Sequence, residues 1–497
     1  MEDRSCGILM HISSLPGEHG IGDFGEAAYD FADVLKTAKV KQWQVLPLNP
    51  TDLGMGNSPY ASSSAYALNP LFINPEFLVQ NGYLEEKYLT QNPLFPDGKV
   101  NYKAVVRHKI PLLSKAYEKF VKEPENEDFN QFCREHDHWL NDFSMFVVLK
   151  DRFHGECWNH WPVDLRDRHE NALAEVREVF SEDIRKEKFI QFLAFRQWYD
   201  LKQYCNDYGI SLVGDIPIYV QLNSADVWAN QHLFKFNDEK QPIAVAGVPP
   251  DYFSETGQLW GNPVYNWDEM QHHNFSWWVS RLGHNLNMFD QVRIDHFRGL
   301  VAYWEVPAGE ETAVNGSWVK VPADAFFERL KAQFPALPLI AEDLGLITDD
   351  VREFLARTGL PGMRVLQFGF MSADPKDQYL PHNFITNCIV YTGTHDNNTV
   401  KGWYSRELNL KQRTFIDKYL GKRANIRNVH IDLVRLAIFS VASTVIIPLQ
   451  DMLGLDYNAR MNKPGVAQNN WTWRLHGNEI TNESVDMLKE WIELSGR

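Results

Sequence analysis

The chain has 497 residues, with 65 Asp and Glu against 49 Lys and Arg and a formal net charge of −16. That length accommodates roughly two to four domains or one elaborated barrel. The acidic balance excludes nucleic acid and anionic membrane as natural partners, because both reward Lys and Arg. No apolar stretch approaches the ~20 residues that span a bilayer. The start, with acids at positions 2 and 3 and a short apolar segment, does not read as a signal peptide. Five cysteines (Cys6, Cys133, Cys157, Cys205, Cys388) are scattered and odd in number, without C-x-x-C. They predict reduced thiols and a cytoplasmic location.

In chain order, residues 6–10 predict a strand, 25–38 an amphipathic helix and 43–48 a second strand, an alternation that implies parallel pairing. The polar, Gly/Ser/Asn-rich stretch 51–67 predicts a long ordered loop. From 75 to 205 the sequence is charged and helical, as in 128–143 and 183–206, and predicts a mostly helical insertion. Strand signals resume at 210–220, which carries Asp215. Residues 225–285 are aromatic and loop-rich and predict a wall of a substrate groove. Within them, 247–267 (GVPPDYFSETGQLWGNPVYNW) predicts an ordered lid rather than a regular element. Seven tryptophans (228, 260, 267, 277, 278, 304, 318) fall in 228–318; such rings fill cores, and they also suit the flat faces of a sugar.

Strands follow at 292–294 and 339–341. After them Thr348 reads as an N-cap, Asp349 and Asp350 favour the first turn, and Gly359 with Pro361 stops a helix over 349–358. Strands at 363–370, 388–394 and 443–449 alternate with helices at 410–419 and 431–440, and 484–494 is helical. Eight candidate strands predict an α/β fold, a (β/α)8 TIM barrel forming a single elaborated domain over 1–497. Too little chain follows 449 for a C-terminal β-sandwich.

Three acids lie just past strand-like runs: Asp295 in QVRIDHFRG, Glu342 in PLIAEDLG and Asp396 in YTGTHDNN. Carboxylates so placed are costly to dehydrate unless paired or used. Arg293 lies on the same strand face as Asp295 and suits an ionised nucleophile, or a plain structural ion pair. Glu342 and Asp343 point to opposite faces, so one faces the barrel mouth while the other caps a loop or pairs behind it, unless both are simply solvated. His395 and Asp396 suit a grip on vicinal hydroxyls; as metal ligands they lack any H-x-x-x-H spacing.

Read together, LMHISSLPG, NSPYASSSAYALNPLFI, GDIPIYV, GQLWGNPVYNW, VRIDHFRG, IAEDLG, TGTHDNNT, RMNKPG and NWTWR run through essentially the whole chain. In order and spacing the sequence resembles the amylomaltase-type 4-α-glucanotransferases of glycoside hydrolase family 77, relatives of the α-amylase barrels. The resemblance implies Asp295 as nucleophile, Glu342 as acid/base and Asp396 as the acid that binds and distorts the sugar. Arg293 and His395 would support them, Tyr60 and Asp215 would complete the site, and Trp260 would be an acceptor-side platform. It implies a retaining double displacement on α-1,4-glucans and maltooligosaccharides, with glucose as product or acceptor and no metal or organic cofactor. A hydrolase with the same carboxylates, or a non-catalytic glucan binder, are the alternatives.

Overall fold

The computed structural model describes residues 4–497 apart from 91, 251–253 and 467; part of the expected 247–267 wall and the first three residues therefore lie outside the described residues. Twelve strands are numbered in chain order. The first six are β1 (Ser5–Leu9), β2 (Gln42–Gln44), β3 (Ser211–Ile216), β4 (Ala244–Val248), β5 (Gln258–Pro263) and β6 (Gln291–Ile294). The rest are β7 (Ala302–Pro307), β8 (Ser317–Lys320), β9 (Leu339–Ala341), β10 (Gly362–Val365), β11 (Cys388–Tyr391) and β12 (Thr444–Pro448).

Strands β1, β2, β3, β6, β9, β10, β11 and β12 close a parallel barrel, in the spatial order β1-β12-β11-β10-β9-β6-β3-β2. Period-2 alternation divides their side chains. Leu9, Leu46, Val213, Ile340, Met363, Val365, Ile389, Tyr391 and Ile446 pack together inside. Their neighbours, such as Val292, Ile294, Val390, Val445 and Ile447, join the core beneath the helices. The barrel is a packed core whose only free end for chemistry is its C-terminal mouth.

The connection between β2 and β3 contains a series of helices and ends in the 27-residue helix Ser181–Asp207. The expected helix 128–143 is two, Glu127–Glu135 and Asp137–Arg152, broken at His136. Two glutamines of the long helix clamp the 51–74 region by its backbone. Gln191 accepts from Leu68 N–H at 2.8 Å and donates to Leu68 C=O at 2.9 Å. Gln197 does the same with Asn74, at 2.7 and 3.1 Å. Below them the helix Tyr102–Phe120 is tied in by Lys109, 1% exposed, whose Nζ pairs with Asp23 Oδ2 at 2.7 Å. Asp23 Oδ1 also accepts from Gly25 N–H and Asn74 Nδ2.

Two expectations need correction. The apolar run 363–370 is strand only to Val365; Leu366–Ser372 is helix. A short apolar run carries no period that separates a buried strand from a buried helix. The turn brings Gln367 inward, where its Nε2 donates to Asn398 C=O at 2.9 Å. The second correction concerns 247–267, which is not an irregular wall. β4 and β5 pair antiparallel, with a bulge between Val245 and Gly247, in a four-stranded sheet of order β5-β4-β7-β8. Its strands are short and carry turn formers within them, Gly247 in β4 and Gly261 and Pro263 in β5, and β4 also pairs with β7, beyond the local window. At Thr348 the cap position is right, but the side chain does not close it; its hydroxyl turns to Asp350 and Arg298. Gly359 ends that helix at φ +74°.

Because breaking one half of a buried ion pair leaves the other charge unpaired, Lys109→Met should cost about 3–5 kcal/mol. Guanidinium unfolding measures it, and adding Asp23→Asn, which removes the unpaired charge and keeps the Oδ1 acceptor for Gly25 and Asn74, should recover a large share of the loss.

Candidate active site

The barrel alternation aims the polar residues of β3, β6 and β9 at one point. Asp215 and Arg293 are register partners on β3 and β6. Arg293 Nη1 donates to both Asp215 oxygens, at 2.8 and 2.7 Å. Its Nη2 reaches Asp295 Oδ1 at 3.0 Å, two residues on along the same face. Ile294 pairs with Ala341, so Asp295 and Glu342 leave neighbouring strands side by side.

On β9, Ile340 points inward, and Glu342 follows it into the mouth. Asp343 turns behind the strand, where it accepts from Met363 N–H at 2.6 Å and pairs with Arg364 at 3.2 Å. That approach requires Gly362, since a Cβ there would lie 2.5 Å from Asp343 Oδ2. After Asp295 the chain turns through a left-handed residue, His296 at φ +50°. A non-Gly residue there stores about 1–3 kcal/mol of strain. The turn aims His296 N–H at Glu342 Oε2, 2.6 Å away, while Leu344 N–H donates to Oε1 at 2.9 Å.

The loop after β11 supplies the third acid. Its two ends are tied by Asp451, 2% exposed, which accepts from Thr392 Oγ1 at 2.6 Å and Val400 N–H at 2.7 Å. Burial pushes Asp451 up to about 6. Between those ends, Asp396 Oδ1 accepts from Asn462 Nδ2 at 2.6 Å and lies 3.4 Å from His395 Nε2. Arg460 donates to Asp396 C=O at 2.6 Å.

Tyr60 completes the group. Its hydroxyl donates to Asp215 Oδ2 at 2.7 Å, and its ring stacks on His395 at 5.0 Å and 18°. Trp260, on β5, is set edge-on to His296, with centroids 4.8 Å apart.

Asp215, Arg293, Asp295, Glu342, Asp396, His395 and Tyr60 are thus brought together, and Trp260 stands one contact away. The other tryptophans of the cluster do structural duty: Trp228, Trp267, Trp277 and Trp278 are buried. Trp304 donates to Ala313 C=O, and Trp318 lies edge-on against Trp304 and under Arg298. Sequence reasoning missed Asp451 and Asn462. Asn462 lies in RMNKPG, where the motif marked the segment without a partner; Asp451 carried no signal in PLQDM at 448–452, just past an apolar run.

Removal from water pushes Asp295 up to about 8; Arg293 opposes the rise, and Asp215, Glu342 and Asp396 add to it. The Asp295 side chain keeps 31% exposure, so the full rise belongs to a site closed over by a bound molecule. Glu342 is also raised by burial, against Arg293 and the two backbone N–H donors. Two such neighbours titrate as a pair and hold one proton between them over a broad range. Burial lowers His395 and holds His296 down at about 4, leaving both imidazoles neutral. Among the described residues no cluster of three or more His, Cys, Asp or Glu is arranged to hold a metal, so the His395–Asp396 pair has no third such ligand there.

A (β/α)8 barrel with paired acids at its C-terminal mouth defines a candidate enzyme of glycosidic bonds. The chain belongs to the 4-alpha-glucanotransferase family, glycoside hydrolase family 77, whose model matches residues 10–481. It is 44% identical to the 4-alpha-glucanotransferase of Aquifex aeolicus over 99% of both chains. It is 43% identical to that of Thermus thermophilus, again over 99% of each. The amylomaltase of Streptococcus agalactiae, solved in complex with acarbose, superposes with a TM-score of 0.95 at 38% identity, covering 99% of both chains. The chain is therefore an enzyme that transfers α-1,4-glucan segments. No helix among the described residues is long and apolar enough to cross a membrane.

Chemistry that needs one charged and one protonated carboxylate runs while the pair keeps one proton. Raised carboxyls keep it to higher pH, and the full rise belongs to the occupied site, so the alkaline limb of kcat should lie near pH 8 rather than in the usual carboxylate range. Asp215→Asn removes a negative charge and frees Arg293 for Asp295; both effects lower the pair. The limb should move to lower pH in a pH–rate profile, and an unmoved limb would contradict the electrostatics described.

Proposed function

We propose that Asp295 is the nucleophile and Glu342 the acid/base of a double displacement. The Arg293–Asp295 ion pair beside a Glu342 positioned by the His296 N–H carries this reading. Glu342 gives its proton to the glycosidic oxygen while an Asp295 oxygen bonds to the anomeric carbon, and the C–O bond to the leaving glucan breaks. The leaving chain departs with a new 4-hydroxyl. An acceptor's 4-hydroxyl then loses its proton to Glu342 and attacks the same carbon, releasing Asp295. Two inversions return the α linkage.

In the same reading Asp396, oriented by Asn462, grips and distorts the sugar at the cleavage point, with neutral His395 beside it. Arg293 and Asp215 hold the nucleophile's charge and direction. Tyr60 is a stacking platform, its other edge fixed to Asp215. Trp260 and the β4–β5 hairpin, one part of 225–285, form the acceptor side of the groove. Shielding there favours a sugar hydroxyl over water. Donors and acceptors are maltooligosaccharides, with glucose as the smallest product or acceptor. Five free cysteines, three of them buried, fit a cytoplasmic enzyme.

Maltotriose should yield glucose and longer maltooligosaccharides without a net rise in reducing ends; a steady rise would mean hydrolysis instead. Asp295→Ala should abolish turnover, and Glu342→Gln should lower it by at least about 10²-fold, both with unchanged circular dichroism. Near-normal turnover in either variant would sink the role assignment.

A further inference from the structure

Away from the barrel mouth, a cavity of about 320 Å³ opens between the helix Asp137–Arg152, the helix Ala225–Ala229, the helix Ser276–Met288 and the end of the 51–67 loop. None of the acids of the candidate active site lines it. Its volume lies at the small end of the range for ligand pockets, roughly 300–1,000 Å³, with room for a mono- or disaccharide.

The floor is aromatic and almost wholly buried. Tyr66 and Trp139 lie parallel at 6.1 Å and 13°, with Trp277 beside them. Asp226, 5% exposed, also lines the cavity; one of its oxygens accepts from Ala65 N–H at 2.8 Å. The Trp277 indole N–H is buried and finds no acceptor among the described residues. Buried donors normally have partners, and each exception asks for an explanation.

The charge balance selects the ligand. No Lys or Arg lines the cavity, which disfavours an anion. Of its two carboxylates, Asp142 is already paired with Arg168 at 2.6 Å, and burial pushes Asp226 up to about 6. Burial also lowers His138 and His232 at the rim, so both are neutral and each offers one donor and one acceptor. Flat apolar faces ringed by neutral donors and acceptors match a hydroxyl-rich, uncharged ring.

We propose that this cavity is a second, non-catalytic carbohydrate site that takes a terminal glucose or maltose unit of an α-glucan. The choice of sugar rests on the glucan-transfer reading above; the existence of the site rests on the cavity. Tyr66 shares its loop with Tyr60, so a chain anchored here is held close to the mouth, and occupancy acts on affinity rather than on bond cleavage.

The test uses the full chain carrying Asp295→Asn, titrated calorimetrically with maltose. Two sites are expected. Adding Ala229→Trp, which fills the cavity, should weaken one of them at least tenfold and leave the other. With Asp295 intact, Ala229→Trp should keep kcat on maltotriose and raise KM for long glucans. Should that variant fail to fold, Ser276→Trp at the exposed rim blocks the entrance without touching the floor. A single site unchanged by either substitution overturns the proposal and leaves the active-site reading standing. Two sites that both survive the blocked cavity overturn it as well, and loss of transfer in the wild-type enzyme would instead overturn the catalytic reading.

Discussion

The site is organised around one guanidinium. Arg293 is 3% exposed inside the barrel, where an unpaired cation would cost several kcal/mol in lost hydration. Burial alone would depress it, but Asp215 and Asp295 outweigh that and hold it firmly charged. The allotment of its donors matters. Asp215 takes Nη1 with both oxygens, and Asp295 receives only Nη2. Asp215 therefore neutralises most of the cation, and what remains cannot support two further ionised carboxylates at the mouth. Asp295 and Glu342 are left to share a proton, which is the condition two-carboxylate chemistry requires.

Around this fixed centre the remaining groups are delivered by loops, and each loop is locked from outside the barrel. The β11 loop is stapled at both ends by Asp451, and its middle is held by Arg460 and Asn462 from the segment after β12. The 51–74 region is gripped by Gln191 and Gln197 on the long inserted helix. Tyr60 then bridges the two halves, touching Asp215 on β3 and His395 after β11. The helical insertion is thus part of how the mouth is built, although its own residues stay away from the acids.

What could be read from the sequence follows the range of the interaction responsible. Arg293 and Asp295 were legible because strand period 2 joins them locally, and Glu342 against Asp343 for the same reason. The helix stop at Gly359 was legible because a left-handed cap is a local demand. The β4–β5 hairpin was not, because its partner β7 lies some 60 positions away and its own residues are rich in turn formers. The split at 363–370 was not, because an apolar run buried on all sides has no face to betray its period. Asp451 is the same case: its task is set by Thr392 and Val400, which only barrel closure brings near.

The placement of aromatics carries the argument one step further. Had the tryptophans of 228–318 all faced the mouth, the cluster would have been a sugar platform outright. Instead Trp228 packs on Phe146 and Trp161 of the inserted helical region, Trp267 and Trp278 pack on Tyr265 and Phe326, and Trp260 alone stands at the mouth among the described residues. Protein interiors are close-packed and leave few voids larger than a water molecule, so an open hollow among large rings stands out. The cavity floored by Tyr66, Trp139 and Trp277 is such a hollow, where the inserted helix Asp137–Arg152 meets residues of 225–285. The same residue type that fills the core elsewhere here lines an apolar hollow with polar groups at its rim, the combination on which the proposed sugar site rests.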